Sequence, residues 1–287
     1  MMRFAFLITA HNNTKVLGCL LRMIDSKDHD IYIHWDLKTS VPTGLYEMVN
    51  QSHLSIVEER YDVRWGSISL VKAEYTLFKA AFRSGVHYDY YHLISGTDLP
   101  IKSNDYFQSF FSKHSGKNFV GFCKETVKDR VEYKHIFLNC LKNTNRIYMY
   151  CDKIYVALQK LLNIKNPGLK DITIAKGTNW CSVTENFVKE LIEKEQWVIS
   201  AFSKTKNPDE YYKQTIAING ALYSTMFDTD DEYNGCQRLI DWNRGRPYCW
   251  EIGDLEEILK SNYLFCRKID NDELAKELYN KISLYHG

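Results

Sequence analysis

Net charge is the first thing this 287-residue chain lacks: thirty-seven Lys and Arg stand against thirty-six Asp and Glu, a formal +1. That balance disfavours a generic nucleic-acid binder, which needs a basic footprint. Cysteines at metal spacing are missing too. Cys19, Cys123, Cys140, Cys151, Cys181, Cys236, Cys249 and Cys266 are scattered, with no CxxC pair and no Cys/His cluster, so reduced, buried thiols are expected rather than a zinc site. The longest N-terminal apolar run, Phe4 to Ala10, falls far short of the ~20 residues that span a bilayer, and no charged leader with a cleavage signal precedes it. A cytoplasmic protein is expected. Neither GxGxxG nor GxxxxGKS/T follows a strand-like segment, which argues against a dinucleotide or P-loop phosphate cradle. Without a Pro/Gly/Ser-rich linker or an internal repeat, one compact unit is expected over residues 1–287.

What is present is an alternation of two periods. Phe4 to Ala10 has the length and apolarity of a buried strand, and Asn13-Thr14 can cap a helix carrying Val16, Leu17, Leu20, Leu21 and Ile24. Strand-like Ile31–Asp36 and Leu54–Glu58 follow, then a helical face of Val71, Tyr75, Phe78 and Phe82. Tyr88–Ile94 reads as a strand running into Ser95-Gly-Thr-Asp-Leu-Pro100, a short helix follows from Asn104, and Asn118–Cys123 reads as another strand. Strands alternating with helices predict an α/β fold with a mostly parallel sheet covered on both faces. Ligands of such sheets bind beyond the carboxyl ends of the strands, which singles out Ala10 and His11, Asp36, and Ser95 to Pro100. Aromatic residues make up 14% of the chain, a surplus that suits stacking on nucleobases and sugar rings as well as cores.

Charge is unevenly spread. Residues 113–176 hold thirteen Lys and Arg against five Asp and Glu, a local +8 that leaves −7 for the rest. Within them Ile147, Cys151, Ile154, Tyr155, Leu158, Leu161 and Leu162 share one helical face, with Arg146, Lys153 and Lys160 nearby. The expectation is a core-packing helix with a solvated basic face; the alternative is peripheral contact with an anionic membrane or pyrophosphate-lipid substrate. Further on, Ser182-Val-Thr-Glu185 resembles a capping box opening a helix through Glu195, Gly253–Lys260 reads as a helix, and Tyr263–Ile269 as a strand.

Asn207-Pro208-Asp209-Glu210 also spells a capping box, with Asn207 as N-cap and Glu210 reaching back to it. A carboxylate fixed at the rim of a cleft is equally a general base for an incoming hydroxyl. One such group suffices for an inverting sugar transfer, in which a departing nucleoside diphosphate gains charge that a metal ion or fixed cations must meet. Three Asp-x-Asp spellings exist: Asp28-His-Asp30, Asp228-Thr-Asp230 and Asp270-Asn-Asp272. The spacing is too short to be specific, although Asp270-Asn-Asp272 follows a predicted strand and stays a candidate pair of metal ligands; the fixed-cation solution is represented by Arg267-Lys268 and by Arg244 and Arg246.

Six collinear segments resemble the core-2/I-branching β-1,6-N-acetylglucosaminyltransferases and peptide O-xylosyltransferases of glycosyltransferase family 14. They are Ile33-His-Trp-Asp-Leu-Lys-Thr39, Val63-Arg-Trp-Gly-Ser-Ile-Ser69, Leu93-Ile-Ser-Gly-Thr-Asp-Leu-Pro-Ile-Lys102, Gly177-Thr-Asn-Trp180, Pro208-Asp-Glu210 and Leu264-Phe-Cys-Arg-Lys-Ile-Asp270. The resemblance implies a GT-A fold, with residues 1–125 as the nucleotide-binding half and 126–287 as the acceptor and catalytic half. It implies an inverting, metal-independent transferase with a UDP-sugar donor, N-acetylglucosamine first and xylose as the rival, and no cofactor. Asp36 would bind uracil, Glu210 would be the base, and Lys268 with Arg244 or Arg246 would hold the diphosphate. Trp65 and Asp98 would line the donor cleft and Trp180 the acceptor side, although each also reads as a packing or turn residue. Lys128, Arg130 and Lys134, with Glu125, occupy the stretch that meets the acceptor in the branching enzymes. This chain begins almost at its first strand, so the expected acceptor is a surface polysaccharide or a lipid-linked glycan, reached from the inner face of the membrane. The rivals from other classes are a sugar-nucleotide or glycan-binding protein without turnover and a structural partner in polysaccharide assembly.

Overall fold

A computed structural model describes residues 1–12, 14–125, 129–138, 146–245 and 247–283. The first half contains β1 (Phe4–Ala10), α1 (Thr14–Met23), β2 (His29–Trp35), β3 (His53–Ile56), α2 (Ile68–Phe82), β4 (Tyr90–Ser95), β5 (Leu99–Pro100), α3 (Asn104–Lys113) and β6 (Phe119–Val120). The second holds α4 (Asp129–Glu132), α5 (Arg146–Leu161), β7 (Cys181–Val183), α6 (Glu185–Glu193), α7 (Glu195–Phe202) and α8 (Tyr212–Ile218). It closes with α9 (Glu232–Cys236), β8 (Arg238–Ile240), α10 (Leu255–Lys260), β9 (Phe265–Arg267) and α11 (Asp272–Ser283).

The main sheet runs β3-β2-β1-β4-β7-β6, and β5-β9-β8 form a second, smaller one. Strands β1 to β4 pair in parallel, so the alternation read from the sequence holds in the first half. The period of two along β1 splits its side chains between two cores. Phe4, Phe6 and Ile8 pack with Leu17, Leu20 and Leu21 of α1 and with Leu274 and Leu278 of α11. Ala5 and Leu7 pack on the other face with Val71, Tyr75 and Phe78 of α2 and with Phe187 and Leu191 of α6. A strand buried on both faces must be apolar throughout, which is why β1 reads as a continuous run.

Several expectations are corrected. The strand expected over 118–123 is two residues long and antiparallel to β7. Ser182 is no cap but a strand residue whose hydroxyl meets the His92 ring at 2.8 Å; α6 opens after Thr184. Only Phe265–Arg267 of the expected strand over 263–269 is extended into a ladder. The expected Asn13 cap and Cys140 lie outside the described residues. The seven described cysteines are free thiols, but Cys151 and Cys249 are exposed, and only Cys181, Cys236 and Cys266 are buried. The apolar face of α5 is not in the core at all: Ile147, Ile154, Leu158, Leu161 and Leu162 are exposed.

Candidate active site

The parallel strands deliver three polar segments to one edge of the sheet. The Asp36 amide donates to the Ala10 carbonyl (2.8 Å) and the Gly96 amide to the Thr9 carbonyl (2.9 Å), tying the ends of β1, β2 and β4 together. A Cβ at position 96 would lie 3.2 Å from that of Ala10, tighter than ordinary contact, so glycine there eases this approach. Asp36 is buried and accepts from both the amide and the ammonium of Lys38, each at 2.9 Å. The Arg60 guanidinium donates to the carbonyls of Trp35 (2.8 Å), Asp36 (3.0 Å) and Thr39 (2.7 Å), locking the loop after β2. His11 is exposed, and its carbonyl accepts from the Thr39 hydroxyl at 3.2 Å.

After β4 the chain turns on Asp98, which is fully buried and accepts from the Ser95 amide (2.8 Å) and hydroxyl (2.9 Å). Asp98 is thus a turn residue, and also the carboxylate partner of Arg267, 3.2 Å away. The Arg267 guanidinium lies 4.4 Å over the Trp180 ring, the geometry of a cation–π contact. Trp180 is buried, so its apolar face belongs to the core while its other contact is a cation. Lys268, half-buried, follows Arg267 through a cis peptide bond. Its carbonyl accepts from the Trp250 amide (2.9 Å), and the Ile269 amide donates to the Thr97 carbonyl (2.9 Å), fixing the Arg267-Lys268 segment against the β4 turn.

Glu210 closes a single 3-10 turn, Pro208–Glu210, rather than opening a capped α-helix. The expected capping box is absent: Asn207 is left-handed (φ 52°), its amide donates to the Gly66 carbonyl (3.0 Å), and its side chain donates to Glu210 (3.3 Å). The Glu210 carboxylate stands 3.6 Å from Arg130 and 3.6 Å from Lys176. The Glu210 carbonyl accepts from the Gly177 amide at 2.9 Å. Three residues later comes Trp180, and so Gly177 to Trp180 connects the Glu210 turn to Arg267. Trp65 is 58% exposed beside the Gly66–Asn207 contact, so its expected packing role is corrected to a surface position next to the Glu210 turn.

Two features of this wall carry no sequence signal. Glu74 of α2 and Lys213 of α8 form a fully buried ion pair at 2.9 Å, and Glu74 also accepts from the Asn179 amide (2.7 Å) and the Tyr212 hydroxyl (2.7 Å). Asn179 immediately precedes Trp180, so the pair holds the connecting segment. Asp209, beside Glu210, is buried, and its Oδ1 has no hydrogen-bond partner among the described residues. Burial, and then the charges of Glu210 and Glu74, push its carboxyl up from 3.8 to about 7. A carboxyl raised on folding binds protons more tightly in the folded state, so its stabilising protonation is fully present at low pH and lost as pH rises through that value. Stability is therefore expected to fall between about pH 4 and pH 7 through Asp209, and Asp209→Asn to flatten that stretch of a melting-temperature profile. An unchanged slope in the variant would reject the assignment.

Other expected residues are placed elsewhere. Arg244 meets three carboxylates, those of Asp241, Asp254 (2.8 Å) and Glu257 (3.1 Å). Arg246 and Lys128 lie outside the described residues. Lys134 lines a cavity of about 140 Å³ with Asn166, Ser200 and Lys204. Glu125 is exposed. Of the Asp-x-Asp spellings, Asp30 is bound by Arg3 (3.0 Å) and the Tyr88 hydroxyl (2.6 Å), Asp228 accepts from the Asp230 amide (2.8 Å), and Asp272 pairs with Lys15 (3.0 Å).

The mixed, mostly parallel sheet with helices packed on both faces is an α/β fold. The Core-2/I-Branching enzyme family model matches residues 4–261, and the chain belongs to that family. Among curated relatives, a xylosyltransferase of Ciona intestinalis is 21% identical over 98% of this chain and 34% of its own length. Xylosyltransferase oxt of Drosophila melanogaster is 23% identical over 93% of this chain and 32% of its own. The chain thus spans about a third of the length of these relatives. Among solved structures, apo mouse xyloside xylosyltransferase 1 is similar with a TM-score of 0.37 and 11% identity, covering 92% of this chain and 97% of that one.

Proposed function

We propose that the chain transfers a sugar from a UDP-sugar to a hydroxyl of a glycan acceptor, with inversion at the anomeric carbon and without a divalent metal. The observation that carries this reading is the Glu210 carboxylate, held 3.6 Å from Arg130 and from Lys176 and joined through Gly177 to Trp180, on which Arg267 is stacked. Glu210 accepts the acceptor's hydroxyl proton as the oxygen attacks the anomeric carbon; the bond to the diphosphate breaks and UDP departs from the opposite face. Lys268 meets the charge that develops on the diphosphate, and Arg244 or Arg246 is its candidate partner. Asp36 is the uracil ligand by resemblance, and Arg130 and Lys176 border the acceptor.

UDP-N-acetylglucosamine and UDP-xylose are the two donors to compare, the second favoured by the names of the relatives. A thermal-shift series separates nucleotide classes first. At a hundredfold excess over Kd, UDP should add about 2.7 kcal/mol and raise Tm by roughly 5 °C, with or without EDTA, while ADP and GDP leave it unchanged. Equal shifts by all three nucleotides would reject the uridine site, and a UDP shift abolished by EDTA would reject the metal-free account. A UDP shift without transfer from either sugar donor would favour the binding protein without turnover.

A further inference from the structure

Helix α5 is turned the wrong way for a helix that only packs against a protein core. Its two buried side chains are polar, Asp152 and Gln159, seven residues and so about two turns apart on one side. Asp152 accepts from the Ile136 amide (2.9 Å), the His135 ring (3.0 Å) and the Lys206 ammonium. Gln159 accepts from the Lys134 amide (3.0 Å) and donates to the Lys134 carbonyl (2.7 Å). The opposite side carries Ile147, Tyr150, Ile154, Leu158 and Leu161, which are 66, 62, 60, 51 and 80% exposed. Leu162 and Ile164, also exposed, extend the stripe beyond the helix. Arg146, Lys153 and Lys160 recur every seventh residue and form a row along one edge of it. The helix's only acid is Asp152, on the buried side.

We infer that α5 is an interfacial helix that docks this face on an anionic lipid bilayer. An apolar stripe left in water is unfavourable, and an exposed one bordered by cations matches the boundary between acyl chains and phosphate headgroups. Charge decides between a bilayer and a second copy of this chain. Two α5 helices facing each other would offer no carboxylate to either cation row, whereas anionic headgroups neutralise both. Lys160 already meets Asp129, but among the described residues neither Arg146 nor Lys153 meets a carboxylate. The surrounding 113–176 segment, at +8, adds attraction of the same sign over a longer range.

The test is co-sedimentation of the full chain with vesicles of phosphatidylcholine alone and of phosphatidylcholine mixed with phosphatidylglycerol. The unchanged chain should pellet with the mixed vesicles and partition about tenfold less onto the neutral ones, with the difference shrinking in high salt. Ile154→Glu with Leu158→Glu should abolish binding, and Arg146→Glu with Lys153→Glu should remove the preference for phosphatidylglycerol. All four positions are exposed, and unchanged melting curves will show that the variants fold. No binding by the unchanged chain overturns the inference, as does binding indifferent to these substitutions. A dimer seen by light scattering that Ile154→Glu dissociates, without lipid binding, assigns the face to a second copy instead. Sedimentation does not depend on sugar transfer, so this result and the fate of the proposed activity are read separately.

Discussion

Glu210→Gln is expected to lower turnover by roughly 10²–10⁴ while leaving UDP affinity near that of the unchanged chain. The substitution keeps the shape of the side chain and its contact with Asn207 but removes the charge that takes the proton. Binding of the donor rests on other residues in the proposal, so calorimetry with UDP should separate the two effects. Near-normal turnover in the variant would reject Glu210 as the base. A second readout comes from its neighbour. The Glu210 charge helps raise the Asp209 carboxyl, so its removal should lower the pH range over which Asp209 loses its proton. A packing defect at position 210 would give no such shift in the pH–stability profile.

Breaking the buried pair between Glu74 and Lys213 is the other large effect. Either Glu74→Leu or Lys213→Met leaves a lone charge in a dry interior and should cost about 3–5 kcal/mol in urea denaturation. Making both changes together removes the stranded charge, and the double variant should be more stable than either single one. Single variants within about 1 kcal/mol of the unchanged chain would mean that water reaches the pair. The loss should also extend to Arg267, because the Asn179 side chain takes its orientation from Glu74 and is followed by Trp180, on which Arg267 is stacked.

The first half of the fold is readable because buried parallel strands and amphipathic helices leave strong local patterns, as β1 and α2 do. Strand β6 lies within the segment read as extended, but β7 is three residues long, too short for a period to register, and its Ser182 reads locally as a cap, so the antiparallel pairing at this edge of the sheet had no signature. Helix α5 shows a different limit. Periodicity says which residues share a side of a helix and not what that side faces; the polar inward contacts of Asp152 and Gln159 are what set its direction. The site divides in the same way. The residue types at the strand ends and in Pro208-Asp-Glu210 could be read from their order, but the neutralisation of Arg244 by carboxylates on both sides of it could not. Glu74 and Lys213 are 139 positions apart, and nothing in either local sequence marks the other as its partner.

Position 177 has a consequence for any attempt to re-engineer this part of the chain. A Cβ built on Gly177 would fall 1.8 Å from the Gly121 carbonyl oxygen, and one on Gly121 would fall 2.6 Å from the Glu232 carbonyl oxygen. Three stretches of main chain cross there with no room for any side chain between them. Randomised libraries should spare this knot and spend their diversity on more open ground such as the largely exposed Trp65.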